Sequence, residues 1–287
     1  MLNNTSKFPP SSPVYSNTGV INTLNKSINC ISKGIDNIYL TVAIDVKFYN
    51  SIIEKIGDSE IVEIFDYKFN VGKPGNGSGG YGILIYNKYL RIMLTNNFIQ
   101  EMPNMKIIIN SVYLHTEEYL KIMEYIIKNF GDYKIKTNRI DIYGDFQGLK
   151  FDKDIKTNRS NIICKSNKFN IYGNSKVTGI TYGSRRNKSI YLRIYDKKEE
   201  LKELNKKGKN KEWIKEIWKK NGYIKENDVY RIEFELGRKF LKQSGYSLIQ
   251  DIIEMNFSKL WEYLTKWFRL IEIKDKNNKS RNKDTKK

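Results

Sequence analysis

Three segments of the sequence place charged and hydroxyl side chains on alternate residues, as one face of a β-strand would. The polar residues of these segments are Arg139, Asp141, Tyr143 and Asp145, then Tyr191, Arg193, Tyr195 and Lys197, and finally Arg231, Glu233 and Glu235. Alternate residues of a strand lie on the same side of a sheet. If the three segments share a sheet in register, carboxylates, arginines and a tyrosine meet on one face.

Such a face carries the groups that phosphoryl transfer needs. Carboxylate oxygens are the ligands that hard divalent cations prefer, so Asp141, Asp145 and Glu233 are candidate ligands for Mg²⁺ or Mn²⁺. A metal ion there would polarise a phosphate oxygen. Arg193 and Arg185 could grip neighbouring phosphates, because a guanidinium group binds two oxygens at once.

Tyr195 is the candidate nucleophile of this face. A tyrosine hydroxyl has an ordinary pKa of about 10, so it needs a nearby base or cation before it can attack. Lys197, Glu200 or a bound metal could supply that help. The alternative is that the polar face is only solvated and holds weak salt bridges between strands. The pattern alone leaves both interpretations open.

The charge balance indicates a polyanionic partner. The chain has 51 Lys+Arg against 32 Asp+Glu, a net charge of +19, and nucleic acid is the commonest partner of so basic a protein. An AT-rich coding sequence would explain the many lysines but not the shortage of acids. The basic residues that we expect to contact DNA are Arg139, Arg185, Arg186, Lys188 and Arg231.

Several classes of site are excluded by composition. His115 is the only histidine, so a metal site built from several histidines is impossible, and we expect His115 itself to be structural or exposed. Cys30 and Cys164 are too few for a disulfide framework or a zinc knuckle. Because no run of about 18 apolar residues occurs, we expect a cytoplasmic protein without a membrane partner.

Strand patterns dominate the chain and are mixed with fewer helical ones. We expect strands at residues 37–47, 61–69, 81–87, 89–94, 138–146, 179–183, 190–196 and 229–236. Helical spacing covers residues 116–131, 197–207 and 247–270, with a break near Asn256. No regular βαβ alternation occurs, so the fold class predicted is α+β, with a central antiparallel sheet and helices packed on one face.

The ends of the chain differ in composition from its middle. Residues 1–35 predict a flexible arm, and residues 274–287 predict a disordered basic tail. Between them we expect a catalytic domain at residues 36–245 and a C-terminal helical segment at residues 246–273.

Three blocks of sequence resemble the Rep_trans family, the rolling-circle replication initiators of small plasmids and their conjugative relaxase relatives. They are TNRIDIYGDF (residues 137–146), TYGSRRNKSIYLRIYDKKEE (residues 181–200) and YRIEFELGR (residues 230–238). With weaker similarity over residues 39–94, the resemblance spans residues 37–245. The middle block is the most specific, because its glycine-containing strand, basic turn and Arg-Ile-Tyr-Asp-Lys stretch occur in order.

The resemblance implies that Tyr195 nicks a DNA strand, forms a covalent 5′-phosphotyrosyl link and leaves a 3′-hydroxyl that primes synthesis. Asp141, Asp145, Glu200 and Glu233 are then candidates for metal binding or acid–base work. The implied partners are a double-strand origin, a single-stranded nick site and a host helicase, and a homodimer is a candidate assembly. A plasmid or phage initiator is favoured over a relaxase, and a non-enzymatic DNA-binding regulator or an RNA-binding protein remain alternatives.

Overall fold

The computed structural model describes residues 28–75, 80–99, 102–116, 118–149, 162–173, 178–187, 189–209 and 211–270. Eleven strands form one sheet, and every neighbouring pair in it is antiparallel. Their order across the sheet is β2-β3-β4-β5-β6-β1-β7-β12-β11-β10-β9, and β13 and β8 form a separate pair. The predicted α+β class with a central antiparallel sheet is confirmed.

The strands, numbered along the chain, are β1 (Asn29–Val42), β2 (Ile61–Ile64), β3 (Tyr67–Gly72), β4 (Ile83–Tyr86), β5 (Leu90–Leu94), β6 (Met105–Ile109), β7 (Lys136–Gln147), β8 (Ile162–Cys164), β9 (Phe169–Tyr172), β10 (Gly179–Gly183), β11 (Ile190–Asp196), β12 (Val229–Gly237) and β13 (Phe268–Leu270). The helices are α1 (Val46–Ile56), α2 (Ser111–Leu114), α3 (Glu118–Phe130), α4 (Lys197–Lys206), α5 (Glu212–Lys220), α6 (Arg238–Gln243), α7 (Ile249–Ile253) and α8 (Phe257–Trp267), and Arg185–Asn187 forms a 3₁₀ turn.

Local sequence explains where several elements differ from the prediction. The strand expected at residues 37–47 ends at Val42, and helix α1 follows because the side chain of Asp45 accepts a hydrogen bond from the Phe48 amide at 2.7 Å. The strand expected at residues 61–69 is two strands, since Phe65 and Asp66 take positive φ angles of 55° and 65° in the turn between them.

The hairpin expected from residues 179–183 and 190–196 is confirmed, and β10 pairs with β11 along its whole length. Gly183 ends β10 with a φ of 95°, and a Cβ there would lie 2.7 Å from the Ile190 carbonyl oxygen. Only glycine fits this position without displacing backbone. The backbone conformation of Gly183 at the end of β10 therefore fixes the register in which β11 pairs with β10.

The main apolar core lies on one face of the sheet. Alternate residues such as Ile140, Leu192 and Phe234 point into it, and α1, α3 and α8 contribute Ile52, Met123 and other buried residues. A smaller cluster lies on the other face, where α4 and α5 cover one end of the sheet. Its buried members are Ile31, Leu201, Ile214, Trp218 and Val229.

The predicted flexible arm, residues 1–35, overlaps a strand. Residues 29–35 belong to β1 and pair with β7, because Ile31 and Ile35 are buried and anchor this part of the chain. The rest of the arm and the tail at residues 274–287 lie outside the described residues. Within residues 246–270 the structure has α7 and α8 as predicted and adds the short strand β13.

Candidate active site

Strands β11, β12 and β7 lie side by side, and their register arranges the polar residues in rows on one face. The rows, each taken from β11 through β12 to β7, are Tyr195, Arg231 and Asp145; Arg193, Glu233 and Tyr143; and Tyr191, Glu235 and Asp141. Directly opposite residues of antiparallel strands project from the same side. The three segments therefore share one sheet, in a register that brings their alternating polar residues together on one face.

Tyr195 is half-buried in this face, and its hydroxyl is surrounded by charged groups. The hydroxyl donates a hydrogen bond to Glu233 Oε2 at 2.9 Å, and Lys197 Nζ lies 3.5 Å from the same oxygen. Burial and then the Glu233 carboxylate raise the pKa of Tyr195 well above 10, although Arg231 and Arg193 act in the opposite direction. The tyrosine therefore keeps its proton at neutral pH, and Glu233 is positioned to accept it.

Arg193 links the tyrosine to the carboxylate. Its Nη2 donates to Glu233 Oε1, and its guanidinium carbon lies 5.4 Å from the centroid of the Tyr195 ring. The Nε atom of Arg193 is buried and has no hydrogen-bond partner within the described residues. A cationic donor beside Tyr195 is thus left for a ligand to satisfy.

Lys197 and Glu200 reach the same tyrosine from helix α4. Lys197 is buried, and its Nζ donates to Glu200 Oε2. Asp196 caps the helix, since its Oδ1 accepts a bond from a first-turn amide at 3.0 Å. Burial, with the positive charge of Arg231, lowers the pKa of Lys197, and Glu200 opposes this change. Because β11 runs directly into α4, the three side chains of the site keep a fixed spacing.

Arg231 lies at the centre of a buried ionic network. Its Nε and Nη2 donate to the two oxygens of Asp145 at 2.6 and 2.8 Å, and its Nη1 donates to Asp36 Oδ1 at 2.9 Å. Trp218 Nε1 adds a bond to Asp145 at 2.9 Å, and the Tyr143 ring lies 3.9 Å from the guanidinium carbon. Arg231 is fully buried, so the prediction that it contacts DNA is wrong for this structure.

A second ionic cluster surrounds Asp141. Arg139 donates to both oxygens of Asp141, at 2.7 and 2.5 Å, and also lies 2.9 Å from Glu235 Oε2. Arg185 Nε donates to the same Glu235 oxygen at 3.0 Å. Burial raises the pKa of Asp141 to about 6, with a contribution from Glu233 and against the hydrogen bond from Arg139. In this cluster the carboxylates of Asp141 and Glu235 are therefore paired with the guanidinium groups of Arg139 and Arg185.

The predicted metal ligands Asp141, Asp145 and Glu233 lie on one face but do not form a metal site as arranged here. Both oxygens of each carboxylate accept hydrogen bonds, and each carboxylate is paired with an arginine. In the part of the chain that the structure describes, no group of three or more His, Cys, Asp or Glu side chains is placed to hold a metal ion. The requirement for Mg²⁺ or Mn²⁺ stays a prediction, and no step below is assigned to a metal.

Sequence reasoning missed three buried residues that support this network, Ser32, Asp36 and Trp218, while His115, expected to be structural or exposed, also belongs to it. Ser32 Oγ and His115 Nδ1 lie 2.7 and 2.6 Å from the Tyr143 hydroxyl, and His115 Nε2 lies 3.6 Å from Asp36. Burial alone would raise the pKa of Asp36, but Arg231 and His115 hold it well below 3.8. Asp36 gave a signal in the sequence, because it is an acidic residue among the apolar residues of a strand. Nothing in the sequence singled out Trp218.

A groove of about 630 Å³ opens beside Tyr195. Strand β10 forms its floor, where Gly179 lies opposite Tyr195 and Thr181 lies opposite Arg193. A Cβ at Gly179 would lie 3.1 Å from the Cβ of Tyr195, so glycine keeps space next to Tyr195. Arg185 and Tyr191 also line the groove. Arg185 and Arg193 border the groove together with the acids Asp196, Glu199, Glu200 and Glu203, so charges of both signs line it.

The remaining predicted DNA contacts lie at different distances from this groove. Arg185 borders it and Arg186 is exposed on the 3₁₀ turn beside it, whereas Lys188 lies outside the described residues. Arg139 is partly exposed at the edge of the Asp141 cluster.

Comparison with known proteins gives limited similarity. No protein-family model matches this sequence, and no curated protein matches it. The chain is similar to the solved structure of a rolling circle replication initiator protein from Geobacillus stearothermophilus, with a TM-score of 0.47 and 14% sequence identity. The match covers 89% of this chain and 92% of that chain. A likeness of this degree does not by itself establish what this chain does.

Among the helices of the described residues, none has the length and apolar composition that spanning a bilayer requires.

Proposed function

We propose that the protein cleaves and rejoins a single DNA strand through Tyr195, and that this reaction initiates rolling-circle replication. One observation carries the proposal. Tyr195 lines an open groove, its hydroxyl donates a hydrogen bond to Glu233 at 2.9 Å, and the cations of Lys197 and Arg193 lie beside it.

The first step is attack of the Tyr195 oxygen on a phosphorus of the DNA strand. The proton of the hydroxyl passes to Glu233, the bond from phosphorus to the 3′-oxygen breaks, and a bond from phosphorus to the tyrosine oxygen forms. The leaving 3′-oxygen takes up a proton, which Glu233 can return. The products are a 5′-phosphotyrosyl adduct and a free 3′-hydroxyl. Proton transfer by a positioned carboxylate contributes about 10²–10⁴-fold to such a step.

The second step reverses the first. A 3′-hydroxyl attacks the phosphotyrosyl phosphorus, the bond to the tyrosine oxygen breaks, and the proton returns to Tyr195. The adduct conserves the energy of the phosphodiester bond, so rejoining needs no nucleotide cofactor. Glu233 serves as base in one direction and as acid in the other.

The cations beside Tyr195 suit the charge that develops during transfer. The partly exposed Arg193 guanidinium lines the groove and can stabilise an oxygen of the reacting phosphate, and Lys197 Nζ can stabilise the negative tyrosine oxygen. The Arg231 network does not touch the groove, and we assign it the role of holding Tyr195 and Asp145 in register.

The choice of DNA as substrate and of replication as the process is supported by the basic composition and by the three sequence blocks that resemble the Rep_trans initiators. A double-strand origin as the recognised site, a host helicase and a homodimer stay predictions. The same strand-transfer chemistry in a conjugative relaxase would differ in its DNA partner rather than in its active site.

The test is a denaturing gel that detects a covalent complex between protein and DNA. The substrate is a supercoiled plasmid carrying the DNA that flanks the coding sequence, incubated with and without Mg²⁺ or Mn²⁺. We expect the unsubstituted protein to form a covalent complex and Tyr195→Phe to form none while it still binds DNA. Tyr263→Phe, which removes the hydroxyl of an exposed tyrosine on α8, is the matched control and should react normally.

A covalent complex formed equally by Tyr195→Phe would remove the tyrosine from the mechanism. Binding without any covalent complex, over many DNA fragments and both metals, would favour the non-enzymatic regulator instead.

A further inference from the structure

The face that carries Tyr195 continues beyond the active site, across β1, β6, β5, β4 and β3. The register extends one row of directly opposite residues across these strands: Arg139, Tyr39, Ile108, Arg91, Tyr86 and Asn70. Lys106 lies in the next row, opposite Thr41 and Met93. This half of the face is called the cation platform below, defined by Tyr39, Tyr86, Arg91, Lys106 and Arg139.

Among the residues that the structure describes, the cation platform gathers three positive charges, of which only that of Arg139 is paired with acids, Asp141 and Glu235. Lys106 Nζ lies 4.7 Å and the Arg139 guanidinium carbon 5.0 Å from the centroid of the Tyr39 ring. Burial, followed by the charges of Arg139 and Arg91, lowers the pKa of Lys106. Within the described part of the chain neither Arg91 nor Lys106 forms an ion pair. Grouped cations of this kind repel one another until an anion binds between them.

Part of the cation platform is open to solvent among the described residues, whereas Tyr39 and Lys106 are half-buried and Ile108 between them is buried. Arg91 and Asn70 are exposed, and Tyr86, directly opposite Arg91, is 40% exposed. The helices that cover the core of this half-sheet pack on the opposite face, where Ile85, Ile92 and Ile107 are buried. The platform therefore combines exposed aromatic and cationic groups on a sheet surface, which is the composition of single-strand nucleic-acid binding surfaces.

We propose that the cation platform is a second binding site for the same single DNA strand, outside the active-site groove. Arg91, Lys106 and Arg139 bind backbone phosphates, and Tyr86 stacks on a base. The proposal rests on the strand-transfer function proposed above for its substrate. From β11 to β5 there are five steps between neighbouring strands, or roughly 24 Å at about 4.8 Å a step, which one extended strand of DNA can bridge.

Charge argues against the chain's own ends as the occupant. Residues 1–27 contain no Asp or Glu, and residues 274–287 are strongly basic. Neither segment would relieve the repulsion between Arg91 and Lys106. A polyanion does.

The test measures binding of a fluorescent single-stranded DNA of random sequence, about 20 nucleotides long, over a range of salt concentrations. The test variant is the double substitution Arg91→Gln with Lys106→Gln. We expect the slope of log affinity against log salt to fall by about 1.4, because each phosphate contact on a single strand contributes about 0.7. If the two proteins bind equally at 1 M salt, this difference in slope makes binding by the variant about 65-fold weaker at 50 mM salt. Tyr86→Ala should weaken binding at least about 5-fold with an unchanged salt slope.

The matched control is Lys55→Gln with Lys121→Gln, which removes the same charge from exposed positions on α1 and α3, on the other side of the sheet. Equal loss in both double variants, or loss in neither, would overturn the proposal. So would a loss confined to RNA of the same sequence. Circular dichroism of both variants checks that each is folded.

The binding assay separates this proposal from the strand-transfer function. If the unsubstituted protein binds DNA through the cation platform but never forms a covalent complex, the platform stands and the function of Tyr195 fails. If covalent complex forms, the platform variant should need more DNA for half-maximal reaction while its maximal rate is unchanged. A lower maximal rate with unchanged half-saturation would place these residues in the chemistry and overturn the platform.

Discussion

One continuous sheet face carries two regions that treat charge in opposite ways. In the region formed by β7, β12 and β11, the carboxylates of Asp141, Asp145 and Glu233 are each paired with an arginine and are buried. In the region formed by β1, β6 and β5, Arg91 and Lys106 have no ion pair among the described residues. Burial and compensation go together in the first region, and exposure and repulsion go together in the second.

Because of this difference in charge pairing, the two regions are suited to different roles. A compensated, buried network holds its side chains in one geometry, which positions a nucleophile and its base before substrate arrives. Uncompensated surface cations do little for a fixed geometry but strengthen binding of a polyanion through release of counterions. Substitutions in the two regions should therefore have different consequences for reaction rate, stability and DNA binding.

Replacing the proposed base should give the largest effect. Glu233→Gln should lower the single-turnover rate of covalent complex formation by about 10²–10⁴-fold, because the amide cannot accept the tyrosine proton. DNA affinity should change little. The control is Glu235→Gln, which lies two residues further along β12 on the same face. An equal loss of rate in both variants would mean that the effect comes from the ionic network and not from proton transfer.

Breaking the buried ion pair should destabilise the fold. Arg231→Met leaves Asp145 and Asp36 without their partner, and removal of one member of a buried pair costs about 3–5 kcal/mol. Urea unfolding measures this free energy. In contrast, Arg91→Met on the cation platform should stay within about 0.5 kcal/mol. A similar loss in both variants would erase the distinction between the two regions.

The stability of the compensated region should depend on pH through Asp141. Its pKa is raised to about 6 from 3.8, so between these values the folded state holds a proton that the unfolded state has released. The free energy of unfolding should therefore fall as pH rises from about 4 to about 6, by at most about 1.4 kcal/mol per pH unit for one proton. Asp141→Asn should flatten this slope, and an unchanged slope in that variant would assign it to another group.

The smallest effect should come from the floor of the groove. Gly179→Ala places a Cβ 3.1 Å from both the Tyr195 Cβ and the Ile194 carbonyl oxygen, so the tyrosine must shift by a few tenths of an ångström. We expect covalent complex formation to slow about threefold, far less than the roughly 10²-fold cost of a 1 Å misplacement. Salt dependence of DNA binding should not change. A steeper or shallower salt slope would show that the groove and the cation platform are coupled.

The sequence predicted the strands of the site because alternation is a local property. Residues 138–146, 190–196 and 229–236 each showed it, and all three are strands in one sheet. Their mutual register was a hypothesis that the structure supplies, since β12 lies between β7 and β11 although it follows both in the chain. The pairing of strands that are distant in the sequence depends on the whole sheet. The sequence of any one strand therefore does not reveal its neighbours.

The sequence could not show which charged side chains form ion pairs within the fold and which remain available to a ligand. Arg231 looked like a phosphate ligand, but Asp145 and Asp36 accept its hydrogen bonds. Those partners lie far away along the chain and reach it only through the fold. Conversely, Arg91 and Lys106 gave no pattern of their own, because they come from separate strands and become neighbours only when β5, β6 and β1 pair.

The position of β12 has a consequence for newly made chains. Tyr195 is synthesised before Glu233 and Arg231, so a ribosome that has passed β11 has made the nucleophile without its proton acceptor or its ionic anchor. A fragment that stops before Val229 cannot insert the central strand between β7 and β11. Such a fragment therefore keeps Tyr195 without its hydrogen-bond partner Glu233, and under the function proposed above it should not cleave DNA.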